Sequence, residues 1–264
     1  MNGNSIMTAL LVFVLAMNPG CSSKSVHENP GSLAIQDTLQ WEKPRFSERQ
    51  KERERMVVED IAGYPYYPIK DEAVLEAMRQ VPRHRFIPSY QQANAYKNYP
   101  LSIGYGQTIS QPFIVAHMTQ LLEIKPGDKI LEIGTGSGYQ AAVLSELTPY
   151  VYSIEIVPEL GEKAAKLLKD LGYKTIKIRI GDGYDGWEEY APFDGIIVTC
   201  APSSIPEPLI RQLKPGGKIV IPVGSEFGVQ NLVVIEKDMK GRIRENMQYP
   251  VRFVPMTGKA QDRS

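Results

Sequence analysis

From residue 129 onward, short β-branched runs alternate with stretches whose apolar residues fall at helical spacing. KILEI at 129–133 and VYSIEI at 151–156 are too short and too β-branched for helices and read as strands. Between them YQAAVLSEL, starting at Tyr139, carries apolar residues on a helical period. The rhythm continues with a helix predicted over 158–171 and stopped by Gly172, then strands over 174–180 and 193–200. A helix over 207–213 ending at the KPGG turn and a strand over 218–223 follow. Repeated βα units of this kind predict an α/β fold with a doubly wound, mostly parallel sheet and helices on both faces. The last part lacks an intervening helix, so NLVVIEKD and MQYPVRFVPM predict antiparallel strands joined by a KDMKGR hairpin.

Ahead of the sheet the pattern is different. Residues 22–40 are rich in Ser, Asn, Pro and Gly and read as a tether. FSERQKERERMVVEDIA at 46–62 has mixed charge at every turn and predicts a solvated helix, with Phe46, Met56, Val57 and Ile61 as its apolar positions. After the turn-rich GYPYYP, DEAVLEAMRQ predicts a short amphipathic helix that starts at Lys70 or Asp71 and faces Val74, Leu75 and Met78 inward. Together these form an N-terminal helical extension. In GYGQTISQP, Pro112 biases Gln111 away from helix, so 108–111 read as a loop entering the helix FIVAHMTQLL. Ser110 there either caps the helix or turns its hydroxyl to a ligand.

Composition narrows the class. The 264 residues are 42% apolar and 23% charged, ordinary for a globular chain with a sizeable core. Thirty basic and thirty acidic residues cancel, so the charge balance gives no reason to expect nucleic acid. Cys21 and Cys200 are far apart and without histidine pairs, so neither a disulfide scaffold nor a metal site is expected. Histidine occurs only at His27, His84 and His117, which leaves few candidates for a histidine base. TALLVFVLAM at 8–17 is too short to span a bilayer but has the length of a signal-peptide core. NPGC then resembles a lipoprotein cleavage site between Gly20 and Cys21, although no Lys or Arg precedes the apolar run and Asn18 stands where an aliphatic residue is usual. An over-extended start, with the protein beginning near Met56, is the other reading.

The chemistry concentrates at strand ends. GTGSG follows the strand at 129–133 directly, and Gly134, Gly136 and Gly138 permit a tight turn and close approach of a ligand to backbone. A dinucleotide fingerprint reads G-x-G-x-x-G, but here the third glycine comes one place early and Tyr139 takes its position. With Glu132 two places before the first glycine, the arrangement is that of S-adenosylmethionine-dependent methyltransferases, whose cationic cofactor suits a nearby carboxylate. Glu155 ends the next strand, where a carboxylate accepts hydrogen bonds from both hydroxyls of a ribose, a feature NAD shares. Asp182 between Gly181 and Gly183 either reads an adenine edge or makes a plain turn. TCAPSSIP after the fourth strand leaves room for a substrate.

GYGQTISQP, ILEIGTGSGYQAAVLSEL, GDGYDGW, APFDGIIVTCAP, LKPGGKIVIPVG and FVPMTG together closely resemble the protein-L-isoaspartate O-methyltransferases over residues 56–258. The first motif is specific to that family; the glycine motif is shared by many methyltransferases. The resemblance implies a Rossmann-like methyltransferase fold and methyl transfer from S-adenosylmethionine to the α-carboxylate of L-isoaspartyl residues in damaged proteins or peptides. It implies that Ser110 is the active-site serine and that Thr108, Ile109, Glu132, Gly134, Glu155, Asp182, Gly183 and Thr257 line the cofactor or substrate, with Gly136 and Gly138 completing the turn. Val115 stands where some members carry histidine. The expected organisation is a leader at 1–21, a tether and charged helix at 22–55, the methyltransferase domain at 56–258 and a tail at 259–264. Isoaspartyl proteins and peptides are the expected partners, with no nucleic acid, and with a membrane only if Cys21 is lipidated. A cytoplasmic monomer is expected, because the methyl donor is made and kept there. The competing readings are a small-molecule or RNA methyltransferase, an NAD-dependent dehydrogenase, and a non-catalytic lipid-anchored binding protein on the same scaffold.

Overall fold

A two-stranded hairpin, β1 (Leu101–Gly104) and β2 (Gln107–Ile109), precedes a seven-stranded sheet in the computed structural model, which describes residues 41–225 and 228–261. The leader, the tether at 22–40 and Cys21 lie outside the described residues. The sheet strands are β3 (Lys129–Ile133), β4 (Tyr150–Glu155), β5 (Lys177–Ile180), β6 (Phe193–Val198), β7 (Leu213–Val223), β8 (Gln230–Lys237) and β9 (Ile243–Val251). Their order is β5-β4-β3-β6-β7-β8-β9, parallel from β5 to β7 and antiparallel over the last two pairings. The helices are α1 (Gln50–Arg55), α2 (Glu72–Gln80), α3 (Pro112–Leu122), α4 (Tyr139–Ser145), α5 (Pro158–Asp170) and α6 (Glu207–Gln212). This is the doubly wound Rossmann-like architecture with the antiparallel C-terminal strands that the periodicity implies.

Alternation along the central strands splits the core into two layers. Ile130, Val151, Ile197 and Val220 pack on one face with Val143 and Leu144 of α4. Leu131, Ile133, Ile154, Ile196 and Ile219 pack on the other. Strands buried on both faces need apolar residues throughout, which is why these runs read as nearly continuous. β3 lies between β4 and β6, where the strand order reverses, and the carboxyl ends of strands at such a point form a crevice.

Four local differences from the sequence expectation have physical reasons. First, β5 starts at Lys177, because α5 closes with Gly172 at φ +93 and the Tyr173 N–H on the Leu168 carbonyl before the chain extends. Second, β7 starts at Leu213: KPGG is a bulge inside the strand, across which the pairing jumps from Phe193 with Leu213 to Gly195 with Lys218. Third, Tyr105 and Gly106 both have positive φ, the turn that closes a tight hairpin, and this places Thr108 and Ile109 in β2 instead of a loop.

The fourth concerns the charged helix, whose Lys51, Glu52, Glu54 and Arg55 are exposed as expected but which buries a cation. α1 continues into a wide π-helical turn, Met56–Ala62, and Arg53, Met56, Val57 and Ile61 are buried. The Arg53 guanidinium donates to the carbonyls of Arg79 and Gln80, each at 2.8 Å, at the C-terminal end of α2, where carbonyls lack helical partners and favour a cation. Residues before α1 are also tied down. Trp41 Nε1 donates to the Ser145 carbonyl at 2.9 Å, and Arg45 pairs with buried Glu146 at 3.1 Å.

Candidate active site

The crevice at the ends of β3, β4 and β6 is built around the glycine turn. Gly134, at φ +95, has no room for a side chain, since a Cβ there would sit 2.4 Å from Thr199 Oγ1. Thr199 Oγ1 donates to the Gly134 carbonyl at 2.7 Å, and the Gly134 N–H donates to the Ile154 carbonyl at 2.8 Å, so the turn is pinned to both neighbouring strands. Gly136, at φ +52, turns bare backbone toward the open side. The Glu155 carboxylate spans this turn: Oε2 accepts from the Gly136 N–H at 2.7 Å and Oε1 from the Val157 N–H at 2.9 Å.

Two adjoining cavities open here. A narrow recess of about 60 Å³ runs over Gly134, Gly136, Glu155 and Gly183 and under Thr257. A larger cavity of about 670 Å³ is walled by Ser110, Gln111, Tyr64, Tyr66, Tyr67, Phe113, Tyr249 and Arg252. Thr108, Thr199, Val254 and Pro255 belong to both walls. The larger cavity has the size of a small-molecule site, roughly 300–1,000 Å³, and the narrow recess opens beside it. Among the described residues, Glu155 is the one charged side chain lining the recess, and no Lys or Arg lines it.

Thr108, Gly134, Gly136, Glu155, Gly183 and Thr257 line the recess, and Ser110 lines the adjoining cavity. Ile109, Glu132, Gly138 and Asp182 line neither. Ile109 points into the core because strand neighbours face opposite sides. Gly138, at φ +86, is the residue from which α4 starts, and a Cβ there would press on Leu168. Asp182 is occupied by the backbone: Oδ1 accepts from Tyr184 N–H at 2.9 Å and Oδ2 from Lys259 N–H at 2.8 Å, closing the C-terminal segment over the strand end. Gly183 beside it admits no side chain, since a Cβ would lie 2.3 Å from Ile133 Cγ2.

Glu132 lies beneath the turn and outside the lining of the recess. Its side chain is fully buried, and burial pushes its carboxyl up to about 8. Oε2 accepts from Ser153 Oγ, which is also hydrogen-bonded to Thr135 Oγ1, and Oε1 has no hydrogen-bond partner. Of the two carboxylates, Glu155 lines the recess and Glu132 does not. Ser110, in turn, does not cap α3. Asn98 Oδ1 takes the Phe113 N–H at 3.0 Å instead, and the Ser110 carbonyl accepts from Arg83 Nη2 at 2.7 Å.

The model of the protein-L-isoaspartate(D-aspartate) O-methyltransferase family matches residues 53–261. The chain belongs to this family. A Syntrophobacter fumaroxidans protein named protein-L-isoaspartate O-methyltransferase 2 is 58% identical over 188 residues, 71% of this chain and 76% of the relative. A solved protein-L-isoaspartate O-methyltransferase superposes with a TM-score of 0.72 at 28% identity, covering 79% of this chain and 67% of that one. A Plasmodium falciparum structure described as a protein-L-isoaspartate O-methyltransferase in complex with S-adenosyl-L-homocysteine superposes with a TM-score of 0.66 at 27% identity, covering 79% and 97%.

In this member of the protein-L-isoaspartate O-methyltransferase family, no histidine among the described residues lines either cavity. His117 is buried among the rings of Tyr67, Phe113 and Tyr249, and burial lowers its pKa. Cys200 lines the recess as a neutral thiol, because burial pushes it up to about 12. The sequence reading missed Asn98, Arg83, Arg252 and the tyrosine wall. The only signal for the last was the aromatic density of GYPYYP, which reads equally well as a turn. No helix among the described residues is long and apolar enough to cross a membrane, and no metal-holding cluster of His, Cys, Asp or Glu occurs among them.

Proposed function

We propose that this protein transfers a methyl group from S-adenosylmethionine to the α-carboxylate of L-isoaspartyl residues in damaged proteins and peptides. The observation that carries this is a recess with one carboxylate and no cation, laid on bare glycine backbone and opening into a cavity walled by Ser110. The residues fit the donor. Gly134 and Gly183 leave no space for a Cβ, so the turn is kept bare, and Glu155 offers charge to a cation. A pyrophosphate would meet Glu155 with no Lys or Arg beside it, which disfavours a dinucleotide.

S-adenosylmethionine, when bound, supplies an electrophilic methyl on a cationic sulfonium. Thr108, Gly134, Gly136, Glu155, Gly183 and Thr257 are the residues proposed to hold it, while Ile109, Glu132, Gly138 and Asp182 brace the frame around them. An isoaspartyl α-carboxylate has an acid pKa near ~3.5 and is already ionised at neutral pH. It needs no base, which accords with cavities that histidine does not line. What the protein must provide is orientation, and alignment of reacting atoms lowers a barrier by about 7–11 kcal/mol in favourable cases. The Ser110 hydroxyl, as donor to one carboxylate oxygen, orients the nucleophile while leaving the other oxygen free to attack. The methyl ester then loses methanol to the adjacent backbone nitrogen, forming a succinimide without further help.

The methyltransferase unit is proposed to span residues 56–258, braced by 41–55, and to act as a cytoplasmic monomer. The mass of the mature N-terminus tests the compartment, since a lipid on Cys21 would place the protein at a membrane instead. Activity is tested by following tritium from labelled S-adenosylmethionine into an isoaspartyl peptide; a peptide that stays unlabelled at saturating donor overturns the reading.

A further inference from the structure

Arg83 is fully buried, yet its hydrogen-bonding partners are carbonyls and not a carboxylate. Its Nε donates to the Ala95 carbonyl at 2.9 Å and its Nη2 to the Ser110 carbonyl at 2.7 Å. The guanidinium carbon lies 5.0 Å over the ring of Tyr139, the first residue of α4 and the one that follows the glycine turn. Nη1 has no hydrogen-bond partner, and burial pulls the side chain's pKa down to about 10. Burying a cation in this way is costly, so its geometry has to be worth more than its packing. Arg83 joins the segment that carries Ser110 to the segment that carries the glycine turn.

Asn98 acts on the same serine from the other side. A polar residue just before a helix ordinarily spends its side chain on the first unpaired N–H groups. Here Asn98 Oδ1 accepts from the Phe113 N–H at 3.0 Å, and its Nδ2 donates to the Asp60 carbonyl at 3.3 Å, which fixes the amide's orientation. Gln111, at the cap position, makes no side-chain cap bond. The Ser110 hydroxyl is thereby released from capping, and Ser110 lines the larger cavity.

We infer that Arg83 and Asn98 are positioning residues for methyl transfer: Arg83 fixes the Ser110 carbonyl, and Asn98 takes over the helix cap, so that the serine hydroxyl is aimed at the substrate carboxylate. This rests on the proposed role of Ser110. Arg83→Lys keeps the charge but loses the fork that reaches two carbonyls at once. Asn98→Ala leaves the Phe113 N–H open and draws Ser110 back to the cap, whereas Asn98→Asp keeps an acceptor in place.

The test is steady-state methylation of an isoaspartyl peptide by the full chain, with S-adenosylmethionine varied from below its KM to saturation. Ser110→Ala, Arg83→Lys and Asn98→Ala are compared alone and in pairs with Ser110→Ala, with Asn98→Asp as the rescue variant. Each single change is expected to lower kcat about tenfold with the donor KM unchanged, and each pair to be no slower than Ser110→Ala alone, because residues acting as a unit are not additive. Asn98→Asp is expected to recover wild-type kcat. Losses that multiply in the pairs, or a raised donor KM at constant kcat, would overturn the inference while leaving the serine's role intact. An unimpaired Ser110→Ala overturns the serine's role and the inference with it. If Arg83→Lys fails to fold, the Asn98 variants decide the question alone.

Discussion

Glu132→Gln tests the most unusual electrostatic feature of the fold. The wild-type carboxyl is fully buried, with Oε1 unpartnered, and burial raises it from the ordinary 4.5 to about 8. Between those two values the folded state holds a proton that the unfolded chain has released. Stability therefore falls as pH rises through this window, by about 1.4 kcal/mol per pH unit, and becomes flat again above it. Across the interval the loss is about 5 kcal/mol at most, because water penetration and relaxation lower the cost of a buried charge. Gln has nearly the same shape, keeps an oxygen for the Ser153 hydroxyl and cannot ionise. The variant is expected to lose this pH slope and to be more stable than wild type by a few kcal/mol at pH 8, with little difference at pH 5. Urea unfolding of both proteins at intervals from pH 5 to pH 9 measures it. Parallel stability curves would refute the reasoning and mean that Glu132 is ionised and solvated.

Three further changes probe the site. Glu155→Ala removes the acceptor of two backbone N–H groups of the turn. Bonds to a charged group are worth about 1.5–3 kcal/mol each, so calorimetry with S-adenosylhomocysteine is expected to show at least about tenfold weaker binding; an unchanged Kd contradicts this. Gly183→Ala places a Cβ 2.3 Å from Ile133 Cγ2. Overpacking of this kind costs about 1–3 kcal/mol, and an unshifted denaturation midpoint would show that the strand end is not closely packed. Among the described residues, Arg252 is the only Lys, Arg, Asp or Glu lining the larger cavity. Arg252→Glu is therefore expected to raise KM for isoaspartyl peptides with acidic flanks and not for those with basic flanks; equal changes for both would remove Arg252 from substrate recognition.

The backbone geometry of the site was readable from the chain alone. Gly134 and Gly136 announced a turn with positive φ, and Glu155 announced itself by ending the second strand of a βαβ unit, because such positions depend on local spacing. The final hairpin was equally local. The burial of Glu132 was not readable, because its spacing says where the backbone runs and not which neighbours cover the side chain, and the cover comes from Ser153 and Thr135. The burial of Arg53 and Arg83 was hidden for the same reason: charge reads as solvation unless the carbonyls that will receive it are known. Those carbonyls, on Arg79, Gln80, Ala95 and Ser110, are distant in sequence. Asn98 was invisible as a cap because it reaches α3 across 15 residues.

The most direct test of the account is methyl transfer from S-adenosylmethionine to two peptides that differ only in an isoaspartyl or an aspartyl linkage at one residue. Rapid labelling of the isoaspartyl peptide, near-background labelling of the aspartyl one, and loss of that labelling in Ser110→Ala are the results predicted. Equal labelling of both peptides would contradict it.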